Sequence, residues 1–126
     1  MNEHKYMAII EHYEGCLAQH GDSHQGVDWF NPLDAEKRYR VMLEVVREDP
    51  AGLTLLDFGC GASHLYPYML NTRFAALEYH GLDASPAFCE LSRSKFPQID
   101  YTCLDVLEAP QRLGEFDYAV MNGVFT

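Results

Sequence analysis

The sequence is poor in positive charge and has no long apolar run. Of its 126 residues, 9 are Lys or Arg and 19 are Asp or Glu, which gives a formal net charge of −10. Binding to a nucleic-acid backbone or to anionic lipid depends on Lys and Arg, so this balance disfavours both kinds of partner. No apolar run reaches the length of a membrane span, and a transmembrane protein is therefore not expected.

A secretory signal and a closely spaced cysteine pair are also missing. The first five residues, Met1–Lys5, do not lead into the apolar stretch of a signal peptide. The sequence has no CxxC pair among its four cysteines, which are Cys16, Cys60, Cys89 and Cys103. Without a signal, buried free thiols are favoured over disulfides. These features predict a cytoplasmic protein.

Residues 1–52 have the pattern of a helical lead-in. Apolar side chains recur at helical spacing from Tyr6 to Leu17, and a glycine-containing loop follows at residues 21–26. Asn31 and Pro32 are typical of a helix cap and a first helical position. Helical spacing then continues through Val46, and the turn at residues 49–52 ends this second helix.

From residue 53 onward, short apolar runs alternate with helical segments. Strands are predicted at residues 53–58, 78–82, 100–104 and 116–121, and helices at about 63–71 and 85–95. This alternation indicates an α/β protein with a Rossmann-like, doubly wound and mostly parallel sheet. We therefore expect two parts, a helical lead-in or lid over residues 1–52 and a ligand-binding domain over residues 53–126.

Four strands are few for such a sheet, which usually has about five to seven. An uncovered parallel strand is unfavourable, so we expect either that the chain is truncated after the fourth strand or that a partner chain completes the sheet. A homodimer through an exposed sheet edge is the form this partnership would take. A compact natural half-domain is the third alternative.

The segment LLDFGCGAS, residues 55–63, contains the strongest ligand-binding pattern. A strand ends near Asp57, and the chain then turns through Gly59, Cys60 and Gly61. Glycines permit a tight turn and close approach of a ligand to the backbone. Asp83, 26 positions after Asp57, follows the next strand. This spacing suits a carboxylate that binds both hydroxyls of a ribose.

Two later segments add polar residues at strand ends. CLDVLEAP, residues 103–110, has Asp105 just after the third strand. FDYAVMNGVF, residues 116–125, has Asn122 and Gly123 at the end of the fourth. Ligands of open α/β sheets bind at the carboxyl ends of the strands, so we expect all these segments to meet there.

The order and spacing of the four segments resemble a class I S-adenosylmethionine-dependent methyltransferase over roughly residues 53–126. The resemblance implies that S-adenosylmethionine is the cofactor and S-adenosylhomocysteine the product. It implies that Asp57 and the loop of Gly59, Cys60 and Gly61 face the methionine part. It also implies that Asp83 binds the ribose and that Ala84 lies against the adenine.

The resemblance extends to the last two segments and to the lead-in. It implies that Asp105 accepts a hydrogen bond from the adenine amino group and that Val106 packs on the ring. Asn122 and Gly123 would border the transferred methyl group and its acceptor. The acceptor is unidentified and no catalytic base is assigned, but the acidic balance favours a small molecule or a basic protein over nucleic acid.

Residues 12–32 are similar to the lead-in of a small bacterial group of such methyltransferases. Tyr13, Trp29 and Arg38 are then candidates to line a lid, with Arg38 paired to the cofactor carboxylate. The structural alternative places Tyr13 and Trp29 in the core and Arg38 on a solvated helix face.

Some residues depart from the family pattern or favour other interpretations. Ser63 replaces a common third glycine, and we expect it to cap the following helix. Cys60 and His64 are four residues apart, but a metal site needs about three or four converging ligands, so none is expected. Two other functions stay open, a nicotinamide-dependent dehydrogenase fragment and a non-catalytic module that binds the cofactor or self-associates.

Overall fold

A four-stranded sheet forms the centre of the computed structural model, which describes residues 10, 11, 14, 15, 18 and 32–121. The elements in chain order are α1 (Pro32–Leu43), β1 (Thr54–Phe58), α2 (Leu65–Leu70), β2 (Glu78–Asp83), α3 (Pro86–Lys95), β3 (Asp100–Cys103) and β4 (Tyr118–Met121). Two short 3-10 helices, Arg73–Ala76 and Pro110–Arg112, lie in the connections before β2 and β4. The described residues before α1 are helical.

All neighbouring strands are parallel, and their order across the sheet is β3-β2-β1-β4. Asp57 in β1 pairs with Gly81 in β2 and with Val120 in β4. The carboxyl ends of all four strands therefore lie at one edge of the sheet. The predicted α/β class and Rossmann-like parallel sheet are confirmed.

Successive side chains of β1 pack on opposite faces of the sheet, as the two-residue period of a strand requires. Leu55 faces the larger apolar cluster, which is built from α1, α2 and the segment before β2. Leu56 faces the smaller one, with Leu82, Leu104 and the connection from β3 to β4. A strand buried on both faces explains the continuous apolar run in the sequence.

Strand β4 is held to β1 by a reciprocal pair of hydrogen bonds at their amino ends. The Thr54 amide donates to Asp117 Oδ2 at 2.8 Å, and the Asp117 amide donates to Thr54 Oγ1 at 2.9 Å. These two bonds stabilise the register of the strand pair, in which Met121 lies opposite Phe58.

The second predicted helix begins at Pro32 as expected but ends earlier than expected, at Leu43. The Val45 and Val46 amides donate to the carbonyls of Met42 and Leu43, three residues back, so the last turn tightens. Val46 remains fully buried beyond the helix. The apolar spacing therefore predicted the burial of Val46 correctly, but it placed the end of the helix too late in the sequence. The proposed cap, Asn31, lies outside the described residues.

None of the helices in the described part of the chain is both long enough and apolar enough to span a lipid bilayer.

Candidate functional site

Asp83, the last residue of β2, connects the carboxyl ends of two neighbouring strands. Its Oδ2 accepts a 2.9 Å hydrogen bond from the Gly61 amide in the loop after β1. Its Oδ1 accepts a 2.9 Å bond from the Ser85 amide at the start of α3. Burial raises the pKa of the Asp83 carboxyl, while these amide bonds lower it. The predicted ribose-binding residue and the glycine loop are therefore in direct contact.

The glycine loop is closed against the end of β2 by its own backbone. The Gly59 and Cys60 amides both donate to the Leu82 carbonyl, at 2.8 and 2.9 Å. Gly59 and Gly61 have φ values of 77° and 56°, in the left-handed region that glycine adopts without a steric penalty. The two glycines of the motif are thus required by the turn itself.

Ser63 does not cap the next helix, so the prediction made for it is wrong. Its φ is 61°, the left-handed conformation expected of the glycine that it replaces. His64 is the residue before α2, and its side chain makes no capping hydrogen bond. The Ser63 hydroxyl instead lies 2.8 Å from the hydroxyl of Ser92 in α3, and both serines are fully buried. The Ser63 side chain is therefore bonded to α3 and not to the start of α2.

Asp57 lies below the loop, inside the larger apolar cluster, where it is 4% exposed. Its Oδ2 accepts a 2.6 Å hydrogen bond from the hydroxyl of Tyr79 in β2. Burial raises the pKa of the Asp57 carboxyl to about 7, against the Tyr79 bond, which lowers it. The Asp57 carboxyl is directed at Tyr79, and the predicted contact with the methionine part of a cofactor stays a prediction.

Cys60 is buried in the turn between the two glycines. Burial raises the pKa of its thiol well above the usual value, and the nearby carboxylates of Asp57 and Asp83 raise it further. A neutral thiol is a poor nucleophile. The structure thus favours a packing role for this side chain over nucleophilic catalysis.

Asp105 and Val106 follow β3 at the same edge of the sheet. The Asp105 carboxylate accepts a 2.9 Å bond from the Leu107 amide, and its carbonyl accepts the amides of Glu108 and Ala109. Val106 is half-buried against the smaller apolar cluster. Asp105 therefore stabilises the turn after β3 through these hydrogen bonds. Its predicted contact with the adenine stays a prediction.

The remaining predicted site residues divide into described and undescribed ones. Ala84 is half-buried directly after Asp83, whereas Arg38 is exposed on α1. The exposure of Arg38 agrees with the solvated-face alternative. Tyr13, Trp29, Asn122 and Gly123 lie outside the described residues, so their predicted roles stay predictions.

A contact from the lead-in reaches this edge of the sheet. Glu14, in the helical part before α1, accepts a hydrogen bond from the hydroxyl of Ser85. Ser85 is buried and also caps α3 by accepting from the Phe88 amide. The charge of Glu14 contributes to the raised pKa of Asp83. Sequence reasoning missed Glu14 because an acidic residue on an amphipathic helix carries no local signal of its partner.

A protein-family model described as a methyltransferase domain matches residues 56–126, which is more than half of the chain. The chain belongs to this methyltransferase domain family. The match includes the glycine loop, Asp83 and Asp105, and it stands against the dehydrogenase alternative. No curated protein matches the sequence significantly.

Solved structures share the fold of this methyltransferase domain at low sequence identity. A TehB-like SAM-dependent methyltransferase from Corynebacterium glutamicum is 19% identical with a TM-score of 0.53, over 97% of this chain and 56% of that one. Phosphoethanolamine N-methyltransferase 1 from Haemonchus contortus is 13% identical with a TM-score of 0.64, over 96% of this chain and 26% of that one. The domain thus spans about half or less of the length of these proteins.

The same fold occurs in a protein named for another reaction. The [4+2]-cyclase SpnF is 22% identical with a TM-score of 0.54, over 68% of this chain and 32% of that one. One fold hosts several chemistries, so the reaction has to be argued from the site.

Proposed function

We propose that this domain binds S-adenosylmethionine and belongs to an enzyme that transfers its methyl group to an acceptor, leaving S-adenosylhomocysteine. The observation that carries the proposal is the contact between Asp83 and the Gly61 amide, within the segment that matches a methyltransferase domain. This contact puts a carboxylate beside a glycine turn at the carboxyl edge of a parallel sheet, where ligands of such sheets bind.

The hydrogen-bonding capacity of the site fits this cofactor. An ionised carboxylate has about four lone-pair positions, and the amides of Gly61 and Ser85 use two of them at Asp83. The remaining capacity of the carboxylate can accept hydrogen bonds from the hydroxyls of a ribose. Asp105 and Val106 would then hold the adenine, and the loop of residues 59–61 would lie along the methionine part.

The chemistry asked of the protein itself is modest. The sulfonium cofactor supplies a methyl group that is already activated for displacement, so the domain mainly contributes proximity and orientation. A general base is needed only for an acceptor that loses a proton during transfer. The acceptor is a nucleophilic N, O, S or C atom, and the net charge of −10 favours a small molecule or a basic protein.

The proposal extends to the lead-in and to the compartment. Residues 1–52 would act as a lid over the cofactor domain of residues 53–126, and the Glu14–Ser85 bond supports this arrangement. A cytoplasmic location is proposed from the free thiols of Cys60, Cys89 and Cys103, since such thiols are typical of reducing compartments.

Calorimetric titration with S-adenosylmethionine and S-adenosylhomocysteine tests the cofactor assignment. Micromolar binding is expected for the wild type. Asp83→Ala is expected to lower the affinity at least about tenfold, which corresponds to about 1.4 kcal/mol of binding free energy. Asp100→Ala is the control, because Asp100 is exposed at the amino end of β3, whereas the proposed site lies at the carboxyl ends of the strands. Absence of binding by the folded wild type, or equal binding by Asp83→Ala, contradicts the proposal.

Self-association through β4 is a second proposal, because β4 is an outermost strand of the four-stranded sheet and pairs with β1 alone. The exposed Met121 lies on this strand. An edge strand offers unpaired backbone groups to a second chain. Sedimentation velocity is expected to show dimers of the wild type and fewer for Met121→Lys, and a strictly monomeric wild type contradicts this proposal.

A further inference from the structure

Two of the free thiols, those of Cys89 and Cys103, meet at the carboxyl edge of the sheet. Cys89 lies near the start of α3, and Cys103 is the last residue of β3. The Cys89 Sγ donates a 3.3 Å hydrogen bond to the Asp83 carbonyl. The Leu104 amide, which follows Cys103 directly, donates to the same oxygen at 3.0 Å. The Cys89 sulfur therefore lies next to the backbone of Cys103.

The packing of α3 on β3 aligns the two side chains. Since α3 connects two parallel strands, it runs back along β3 in the opposite direction. Cys89 and Arg93 share one face of the helix, and Cys103 and Tyr101 share one face of the strand. The Arg93 guanidinium donates a 3.1 Å bond to the Tyr101 carbonyl. Four helical residues and two strand residues both advance by about 6–7 Å, so Cys89 lies opposite Cys103.

The thiols of Cys89 and Cys103 are in hydrogen-bond contact but differ in their access to solvent. Cys89 is 2% exposed, whereas Cys103 is half-buried. Burial raises the pKa of the Cys89 thiol, and its contact with the Cys103 thiol raises it further. A neutral buried thiol reacts slowly with a dissolved oxidant, so attack from solution is expected at Cys103. Cys89 is then the thiol that an oxidised Cys103 sulfur meets.

We propose that Cys89 and Cys103 form a peroxide-sensitive thiol pair, which closes into an intramolecular disulfide and weakens cofactor binding at Asp83. The closure of the pair is independent of the proposed function, and only its effect on the cofactor rests on that function. Disulfides of proteins in reducing compartments are usually transient and redox-sensing, which fits two free thiols in contact.

Hydrogen peroxide supplies the oxidising equivalents in two steps. The Cys103 thiol first gives its proton to water and its thiolate attacks a peroxide oxygen, so that an S–O bond forms, the O–O bond breaks and hydroxide leaves to be protonated to water. The Cys89 sulfur then attacks the sulfenic sulfur of Cys103. The S–S bond forms, the S–O bond breaks, and the hydroxyl leaves as water with the Cys89 proton. Two thiols are thus oxidised to one disulfide while one peroxide is reduced to two water molecules.

Disulfide formation acts on the residue that is proposed to bind the ribose. The Cys89 S–H bonds to the carbonyl of Asp83, and a disulfide sulfur has no hydrogen to donate. The Asp83 carboxylate also accepts from the Ser85 amide at the start of α3, the helix that carries Cys89. Drawing Cys89 from contact into a covalent bond with Cys103 therefore moves the start of α3 relative to Asp83.

Mass spectrometry of the whole 126-residue chain after exposure to hydrogen peroxide tests the closure of the pair. The wild type is expected to lose two hydrogens, and a non-reducing peptide map is expected to join Cys89 to Cys103. Cys89→Ser lacks the second thiol and is expected to stop at a Cys103 sulfenic acid, which dimedone traps. Cys16→Ser is the matched control, because it removes a cysteine and keeps the pair. A pair that stays reduced, or a disulfide to another cysteine, overturns the proposal.

Calorimetric titration with S-adenosylhomocysteine, before and after peroxide, tests the effect on the site. The oxidised wild type is expected to bind about 3- to 10-fold more weakly, as loss of one hydrogen bond predicts, and dithiothreitol is expected to restore the affinity. Cys103→Ser keeps the Cys89 donor and is expected to bind equally well before and after peroxide.

The remaining outcomes separate this inference from the proposed function. A disulfide that leaves the affinity unchanged overturns the effect on the cofactor and supports the pair itself. A folded, reduced wild type that does not bind S-adenosylhomocysteine overturns the proposed function, while the peptide map still decides whether the pair closes. Should Cys89→Ser fail to fold, the comparison of the wild type with Cys103→Ser tests the pair, because Cys103 is only half-buried.

Discussion

The hydroxyl of Tyr79 donates a 2.6 Å hydrogen bond to the carboxylate of Asp57 in the buried layer below the glycine loop. The two residues lie on neighbouring strands, with Asp57 paired to Gly81. Burial raises the pKa of both groups, for Asp57 to about 7. A carboxyl group in this position has one strong donor and little contact with water, so its protonation state and the stability of the domain are linked.

Tyr79→Phe removes the donor and leaves a buried carboxylate without it. We expect the free energy of unfolding to fall by about 1.5–3 kcal/mol at pH 8, the range for a hydrogen bond to a charged group. Urea unfolding followed by circular dichroism measures this change. Tyr118→Phe is the control, since its hydroxyl bonds to Glu48 at the surface and its loss is expected to change stability far less. Equal losses would contradict a special role for the buried pair.

The raised pKa of Asp57 makes stability depend on pH with a definite sign. Between about pH 4 and pH 7 the folded state keeps a proton that the unfolded state has lost, so the domain loses stability as the pH rises through this window. Asp57→Asn cannot ionise and is expected to flatten this part of the profile. Unfolding free energies from pH 4 to pH 8 test the point, and parallel profiles for variant and wild type would show the pKa to be near its usual value.

Ser63 is a non-glycine residue in the left-handed region, with φ of 61°. Ser63→Gly and Ser63→Ala both lose the bond to Ser92, but only alanine retains the steric penalty of that conformation. We expect the glycine variant to be the more stable by roughly 1–2 kcal/mol. Ser94, in the helix α3, provides the opposite control, because alanine is favoured over glycine there by about 1 kcal/mol. Thermal unfolding of the four variants gives both differences.

Gly81 lies in β2 directly beneath an aromatic ring. A Cβ at this position would overlap the Tyr101 ring and come within 3.1 Å of the Cys60 sulfur. Gly81→Ala is expected to destabilise the domain by about 1–3 kcal/mol through overpacking. Gly15→Ala is the control, since a Cβ there meets nothing within 4 Å. A neutral Gly81→Ala would mean that the ring of Tyr101 moves aside freely.

The negative charge of Glu14 contributes to the raised pKa of the Asp83 carboxyl. Glu14→Gln removes this charge while keeping an oxygen acceptor for Ser85. We expect the pKa of Asp83 to fall, as followed by the ¹³C shift of its carboxyl carbon during a pH titration. Glu11→Gln makes the same change at another helical residue before α1, whose side chain is exposed, and is expected to have no effect. A matching shift in both variants would point to long-range charge alone.

Much of the fold was predictable because its signals are local. The apolar run ending at Phe58, the two glycines of the turn and the Ser85–Pro86 helix start were all confirmed, with strand ends shifted by at most two residues. The edge position of Asp83 was predictable too, since parallel strands bring their carboxyl ends to one side. The helix end at Leu43 was not, because Val46 is buried whether or not it is helical.

The sequence by itself determined where the strands lie and where the chain turns, because periodicity and glycine conformation depend on a few neighbouring residues. It also determined which carboxylates lie at the carboxyl ends of the strands. Tertiary structure decided which groups those carboxylates meet. Tyr79 bonds to Asp57 across 22 residues, and Ser85 bonds to Glu14 across 71. Ser63 was predicted to cap a helix, but it adopts a left-handed conformation and its hydroxyl is hydrogen-bonded to that of Ser92. Such contacts arise only when separate elements pack, because a hydrogen bond acts over about 3 Å in space whatever the distance along the chain.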